Sequence, residues 1–169
     1  HDQPTNFVAE GYKSLQKGET YVVVPNEVTD VVSSNEDLDA AISNTEGEAT
    51  IALGNNAEIS LKSGAANGKS NDFTFIGDGT STFDAVTAEG GELNYQRGST
   101  FTFQNLTIKA GEGNFDGIVC DELTYYNCTI TGKLALYGKA TFINCTFEND
   151  MANQYSIWTW GGTEGKFEG

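Results

Sequence analysis

An eight-residue phrase occurs three times between residues 101 and 147, as FTFQNLTI (101–108), LTYYNCTI (123–130) and ATFINCTF (140–147). Each copy places apolar residues at alternate positions, a threonine between them, an asparagine in the middle, and a second apolar–Thr–apolar run. The copies start 22 and 17 residues apart. A weaker relative, FTFIGDGT (73–80), starts 28 residues before the first and carries Gly77 where the others carry asparagine. A phrase that holds while its spacing wanders predicts a coil whose turns share strands but differ in loops.

Within the phrase, alternation places Phe101 and Phe103 on one face of a strand and Thr102 on the other. Asn105 then makes a corner, since Asn and Gly tolerate left-handed backbone angles, and Leu106 and Ile108 continue the apolar face on a second strand. Stacking the copies aligns Phe75, Phe103, Tyr125 and Phe142 in one column and Leu106, Cys128 and Cys145 in another. Further strands are expected at ATIAL (49–53), AEISL (57–61), ELNYQ (92–96), GIVC (117–120), LALY (134–137) and YSIWTW (155–160), with 80–91 a long excursion. The order is strand, turn, strand, Asn corner, strand, loop.

SSNEDLDAAISNTEG (33–47) reads as a helix. Ser33 with Glu36, or Ser34 with Asp37, offers a capping box, and acids fill the first turn. Leu38, Ala41 and Ile42 form an apolar stripe, and Gly47 ends the run. In residues 1–32, TYVVVPNEV (20–28) reads as a strand stopped by Pro25, while FVAEGYKSL shows no clear period. That segment is an extension, a linker or a strand that joins the coil.

Taken together, these motifs resemble the pectin-lyase-like superfamily over residues 33–169. The resemblance implies an all-β fold, a right-handed parallel β-helix of about five rungs with a capping helix at its N-terminal end. It implies an asparagine ladder at Asn105, Asn127 and Asn144. Amides enclosed in such a ladder cannot carry glycans, so the three Asn-x-Thr sequons are read as structural. No closing cap follows GKFEG (165–169), where Gly169 falls at a corner, and the natural protein is expected to continue.

Length and charge bound the function. A chain of 169 residues suffices for one domain with a real core. Its 24 acids against 9 bases give a net charge of −15. Nucleic acid and anionic membranes, which require a basic face, are excluded as partners. No apolar run reaches the ~18 residues of a membrane span. Three cysteines make no even disulfide framework. Cys128 and Cys145, stacked in parallel, point the wrong way for an unstrained bridge and are expected as free, buried thiols.

The resemblance also places a binding groove along the outer face of the third strand set. Here that face carries Glu92, Asn94, Gln96, Tyr137, Trp158 and Trp160. If Ile157 points inward, both tryptophans point outward, and exposed aromatic rings make platforms for sugars. A calcium-dependent lyase of this type would need clustered carboxylates and a base. The only arginine is Arg97, with Asp121 and Glu122 at the equivalent turn one rung on, an arrangement met more often in a surface ion pair than in a catalytic site. The N-T-D, G-D-D, G-H-G and R-I-K motifs of the polygalacturonase branch are absent. Thr74, Thr102, Thr124 and Thr141 align outward, which would suit ice or mineral binding, but threonine is a good exposed strand residue and the column is read as ordinary strand surface.

The expectation is therefore a non-catalytic, extracellular or cell-surface module of a bacterial protein. It would be a monomer without a cofactor, presenting Tyr137, Trp158 and Trp160 to a glycan or a host or cell-surface protein. The alternatives are a calcium-assisted lyase or a glycoside hydrolase acting on an acidic polysaccharide, and a purely structural stalk.

Overall fold

The computed structural model describes residues 8–17, 19–60, 71–85, 92–94 (backbone only), 99–111, 117–149, 155–159 and 162–169. The fold is mostly β. Two sheets are wholly parallel, and a separate antiparallel hairpin pairs β1 (Tyr12–Lys17) with β2 (Thr20–Pro25). The larger sheet contains β3 (Asp30–Val32), β4 (Glu48–Leu53), β6 (Asp72–Ile76), β9 (Thr100–Gln104), β11 (Gly117–Tyr126) and β13 (Leu134–Ile143), hydrogen-bonded in that order. β8 (Glu92–Asn94) joins it beside β11, while β15 (Ile157–Thr159) and β16 (Glu164–Glu168) both pair with β13. The smaller sheet runs β5 (Glu58–Ser60), β7 (Thr82–Asp84), β10 (Thr107–Lys109), β12 (Thr129–Thr131) and β14 (Thr146–Glu148). From β4 onward the chain passes repeatedly from the larger sheet to the smaller and back, each pass stacking on the one before.

The stacking register is the one the repeated phrase predicts. Phe75 faces Phe103, Phe103 faces Tyr125, and Tyr125 faces Phe142, with Phe167 next in line. The rings stack nearly parallel, with centroids 5.5, 5.3, 4.9 and 5.1 Å apart along the column. Ile59, Phe83, Ile108 and Ile130 of the smaller sheet close the same core from the other side. Burying each such side chain contributes roughly 1.5–3 kcal/mol, which makes this column a main source of stability.

Two expectations require correction. The stretch 80–91 is not wholly a loop, because Thr82–Asp84 form β7 and Phe83 is fully buried. The earlier passes turn their corner with four residues (Leu53–Asn56 and Gly77–Thr80), whereas the later ones use asparagine alone, which displaces the second strand. The turns expected between GIVC and LTYY, and between LALY and ATFI, are absent. Each pair merges into one ten-residue strand, β11 or β13. The bend is a bulge in which Cys120 and Asp121 oppose the single residue Gly138. Gly138 has φ +154° and a Cβ there would lie 2.4 Å from the Cys120 carbonyl oxygen, so only glycine fits.

Helix α1 (Asn35–Asn44) starts at the second of the two proposed boxes, where the Ser34 hydroxyl accepts from the Asp37 amide. The Asp37 carboxylate in turn accepts from the Ser33 amide and pairs with Lys17 of β1 at 3.2 Å. The amide hydrogen bond, then Lys17, hold that carboxyl below its ordinary pKa. Leu38, Ala41 and Ile42 are buried in the main core, so the helix lies over the end formed by β3 and β5. β1, unforeseen in the sequence, completes the hairpin. Val24, Val28 and Val31 pack with Leu15 and Val22 against Ala52 and Ile76, on the outer face of the larger sheet.

Candidate binding face and corner column

Ile157 packs against the main core, so alternation turns Trp158 to the outer face, where it is partly buried beside Ala135. The Trp158 ring stacks on Tyr155 at 5.3 Å and 29°. Above Tyr155 lies the Lys133 ammonium, 5.6 Å from the ring centroid. Lys133 is itself buried, and its amide donates to the Gly111 carbonyl. Just before it, Gly132 (φ +79°) approaches the Ala110 carbonyl so closely that a Cβ would lie 2.3 Å from its oxygen. A cation over a tyrosine face contributes about 0.5–1 kcal/mol at exposed sites and about 2 kcal/mol when desolvated.

Of the three aromatic residues expected on this face, Trp158 is on it, Tyr137 is half-buried in β13, and Trp160 lies outside the described residues. Tyr155 was missed. Strict alternation would have sent it inward with Ile157, but the chain bends at Ser156 and leaves it 46% exposed. The side chains of Glu92 and Asn94 and the whole of Gln96 also lie outside the described residues.

The constellation that the lyase alternative would need is only partly described. Arg97 lies outside the described residues. Asp121 and Glu122 are exposed at the β11 bulge, and Glu122 faces Lys139 across 3.9 Å with both side chains mostly in solvent. Such a pair is weak. Among the described residues, no group of three or more His, Cys, Asp or Glu side chains is arranged to hold a metal ion. A hollow of about 560 Å³ near the C-terminal end of α1 is lined by Ser43, Asn44, Thr45, Glu46, Gly47 and Asn71, of which only Glu46 ionises. No helix among the described residues is long and apolar enough to cross a membrane.

The corner asparagines have φ between +51° and +55°, and the Asn127 amide donates to the Asn105 side-chain oxygen at 3.4 Å. Registers in the smaller sheet add Asn56, also at φ +55°, to the same column. Its signal was the Asn that precedes AEISL. The expected enclosure of these amides is corrected, since Asn127 and Asn144 are exposed. Phe103 and Leu106 are both buried in the core, so Gln104 and Asn105 must both lie toward the outside. The left-handed residue absorbs this break in alternation. Burial therefore gives no ground for calling these sequons closed to modification.

The thiols sit inside the column. Cys128 donates to the Phe103 carbonyl at 3.4 Å and Cys145 to the Tyr125 carbonyl at 3.3 Å, each reaching back to the preceding pass. All three cysteines are free, and burial pushes Cys120 up to about 12 and Cys128 up to about 11. They are unreactive as nucleophiles at neutral pH. Five threonines (Thr50, Thr74, Thr102, Thr124 and Thr141) align on the outer face, one more than expected. They are flanked by a column containing Glu48, Asp72, Glu122 and Lys139, a charged border unlike a flat ice-binding plane. No family model, curated protein or solved structure matches the chain.

Proposed function

We propose that this chain is a right-handed parallel β-helix of the pectin-lyase-like type, capped by α1, that serves as a non-catalytic binding module on a bacterial surface. Support for the coil comes from the strict exchange between two parallel sheets and the left-handed asparagine column. Right-handedness follows the strong preference of parallel crossovers. The extracellular placement rests on the resemblance and on the charge of −15.

The observation that carries the binding reading is the Tyr155–Trp158 stack beneath Lys133, on the face where this superfamily holds sugars. Its ligand is a glycan. Rings of this kind contribute on the order of 1 kcal/mol each through stacking, so one module binds weakly and attachment relies on many copies. A glycan array identifies the ligand, and Trp158→Ala and Tyr155→Ala then each weaken binding about fivefold. Unchanged affinity in the double variant would remove the site from this face. If no glycan binds, the glycan reading fails, and the choice passes to a protein ligand or a structural stalk.

A further inference from the structure

The hollow at the C-terminal end of α1 is electrostatically one-sided. The helix directs the negative end of its peptide dipole there, and its last turn contains no basic side chain. Glu46 lines this hollow of about 560 Å³. A smaller one of about 200 Å³, which shares Asn44 and Thr45 with it, is lined by Asp30. No lysine or arginine lines either. The Asp30 carboxylate accepts from the Val31 amide at 2.7 Å through one oxygen, Oδ1.

The rim is held in place by the fold itself. The Thr45 hydroxyl donates to the Ala41 carbonyl at 2.8 Å, and the Thr45 amide donates to the Ile42 carbonyl at 3.2 Å. Asn71 is buried, accepts from the Gly47 amide at 3.3 Å and donates to the Thr45 carbonyl at 3.4 Å. Beside it, the Asp72 amide donates to the Gly47 carbonyl at 3.0 Å. These bonds tie the helix end and the segment leading into β4 to the start of β6. A ligand entering here has little of the rim to order, which removes one cost of binding.

Size and lining select the class of ligand. The larger volume is far more than a bare ion fills, since one water takes only about 30 Å³ of liquid. No aromatic ring lines the hollow to favour a flat apolar molecule. Ser43 and Asn44 are exposed and present a hydroxyl and an amide, groups that exchange hydrogen bonds with hydroxyls. We propose that this hollow binds a small organic cation, a primary ammonium on a hydroxyl-bearing frame such as an amino sugar. The ammonium sits toward Glu46 and the end of α1, and the hydroxyls meet Ser43 and Asn44. The net charge of −15 attracts cations to the whole surface, so the test has to separate the site from that general attraction.

Proton–nitrogen correlation NMR on the whole chain, titrated with glucosamine at physiological salt, makes that separation, with N-acetylglucosamine and sodium chloride as controls. Glucosamine is expected to shift the amides of Thr45, Glu46, Gly47 and Asn71 saturably in the millimolar range. Neutral N-acetylglucosamine binds about tenfold or more weakly. Glu46→Gln and Asp30→Asn each weaken glucosamine binding about two- to fivefold. Ser43→Trp, at an exposed helix position, fills the hollow and removes binding. Unperturbed amides far from the hollow show that each variant is folded. Trp158→Ala leaves this binding unchanged, so the site stands or falls independently of the Tyr155–Trp158 face. No saturable shift at concentrations well above the millimolar range overturns the site. Equal affinity for the two sugars overturns the role of charge. Shifts that sodium chloride reproduces, or that spread over the acidic surface, show general ion attraction and overturn the site as well.

Discussion

Tyr125 is the one hydroxyl in a column otherwise built of phenylalanines, and replacing it by phenylalanine is predicted to stabilise the protein. Its ring is fully buried between Phe103 and Phe142, at 5.3 and 4.9 Å, and its hydroxyl has no hydrogen-bond partner among the described residues. Cys120, Cys128 and Cys145 surround it closely enough to perturb it, and burial raises the phenol's pKa well above its ordinary value. Burying an unpaired hydroxyl costs about 1–3 kcal/mol in mutational series. Against that, Tyr125→Phe opens a void the size of one oxygen atom, which at ~24 cal/mol per Å³ costs only about 0.3 kcal/mol. The stacking neighbours already accept a phenyl ring, so no repacking is required. The net expectation is a gain of about 1–2 kcal/mol, a rise in melting temperature of about 2–4 °C per kcal/mol for a chain of this length. Urea unfolding should show a higher midpoint with an unchanged slope. A loss of 1 kcal/mol or more would refute the reasoning, because it would mean that the hydroxyl has a stabilising partner.

Asn127→Ala is predicted to lose about 1–2 kcal/mol, from its left-handed φ of +51° and the bond to Asn105, whereas Asn127→Gly should lose less because glycine adopts that angle freely. Equal losses in chemical denaturation would remove backbone conformation as the cause. Stability should fall as pH rises above 9, because thiols ionise there in the unfolded chain while Cys128 and Cys120 stay protonated to about 11 and 12. The unfolded state then binds fewer protons, so each thiol lowers stability by about 1 kcal/mol per pH unit across that window. Cys120→Ala with Cys128→Ala should flatten the profile measured by denaturant titration under reducing conditions. Incubation with calcium and pectin or alginate should release no unsaturated product absorbing in the ultraviolet. A product lost in Arg97→Ala would establish the lyase alternative instead.

The repeated phrase made the stacking register legible because side-chain alternation and a fixed corner together leave little freedom. Once Phe103 and Leu106 must both face the core, Asn105 has to absorb the mismatch, and the columns of Phe75, Phe103, Tyr125 and Phe142 follow. The capping box of α1 was legible for a similar reason, since Ser34 and Asp37 act over three residues. The candidate site was less so. Trp158 could be placed by alternation from Ile157, but Tyr155 and Lys133 reach each other across a bend at Ser156 and from a different pass of the chain.

What the sequence alone determined was therefore local and periodic: strands, left-handed corners, and which side chains share a column. Tertiary structure decided what depended on contacts between distant segments. β7 forms because Phe83 fills the core between Ile59 and Ile108, although TFD alone carries little strand signal. β1 forms because its hairpin covers Ala52 and Ile76 and because Lys17 reaches Asp37, some 20 residues along the chain. Asn127 and Asn144 lie exposed for a reason of the same kind. The sequence specifies the left-handed corner, but the direction its side chain faces depends on both flanking apolar residues reaching one shared core.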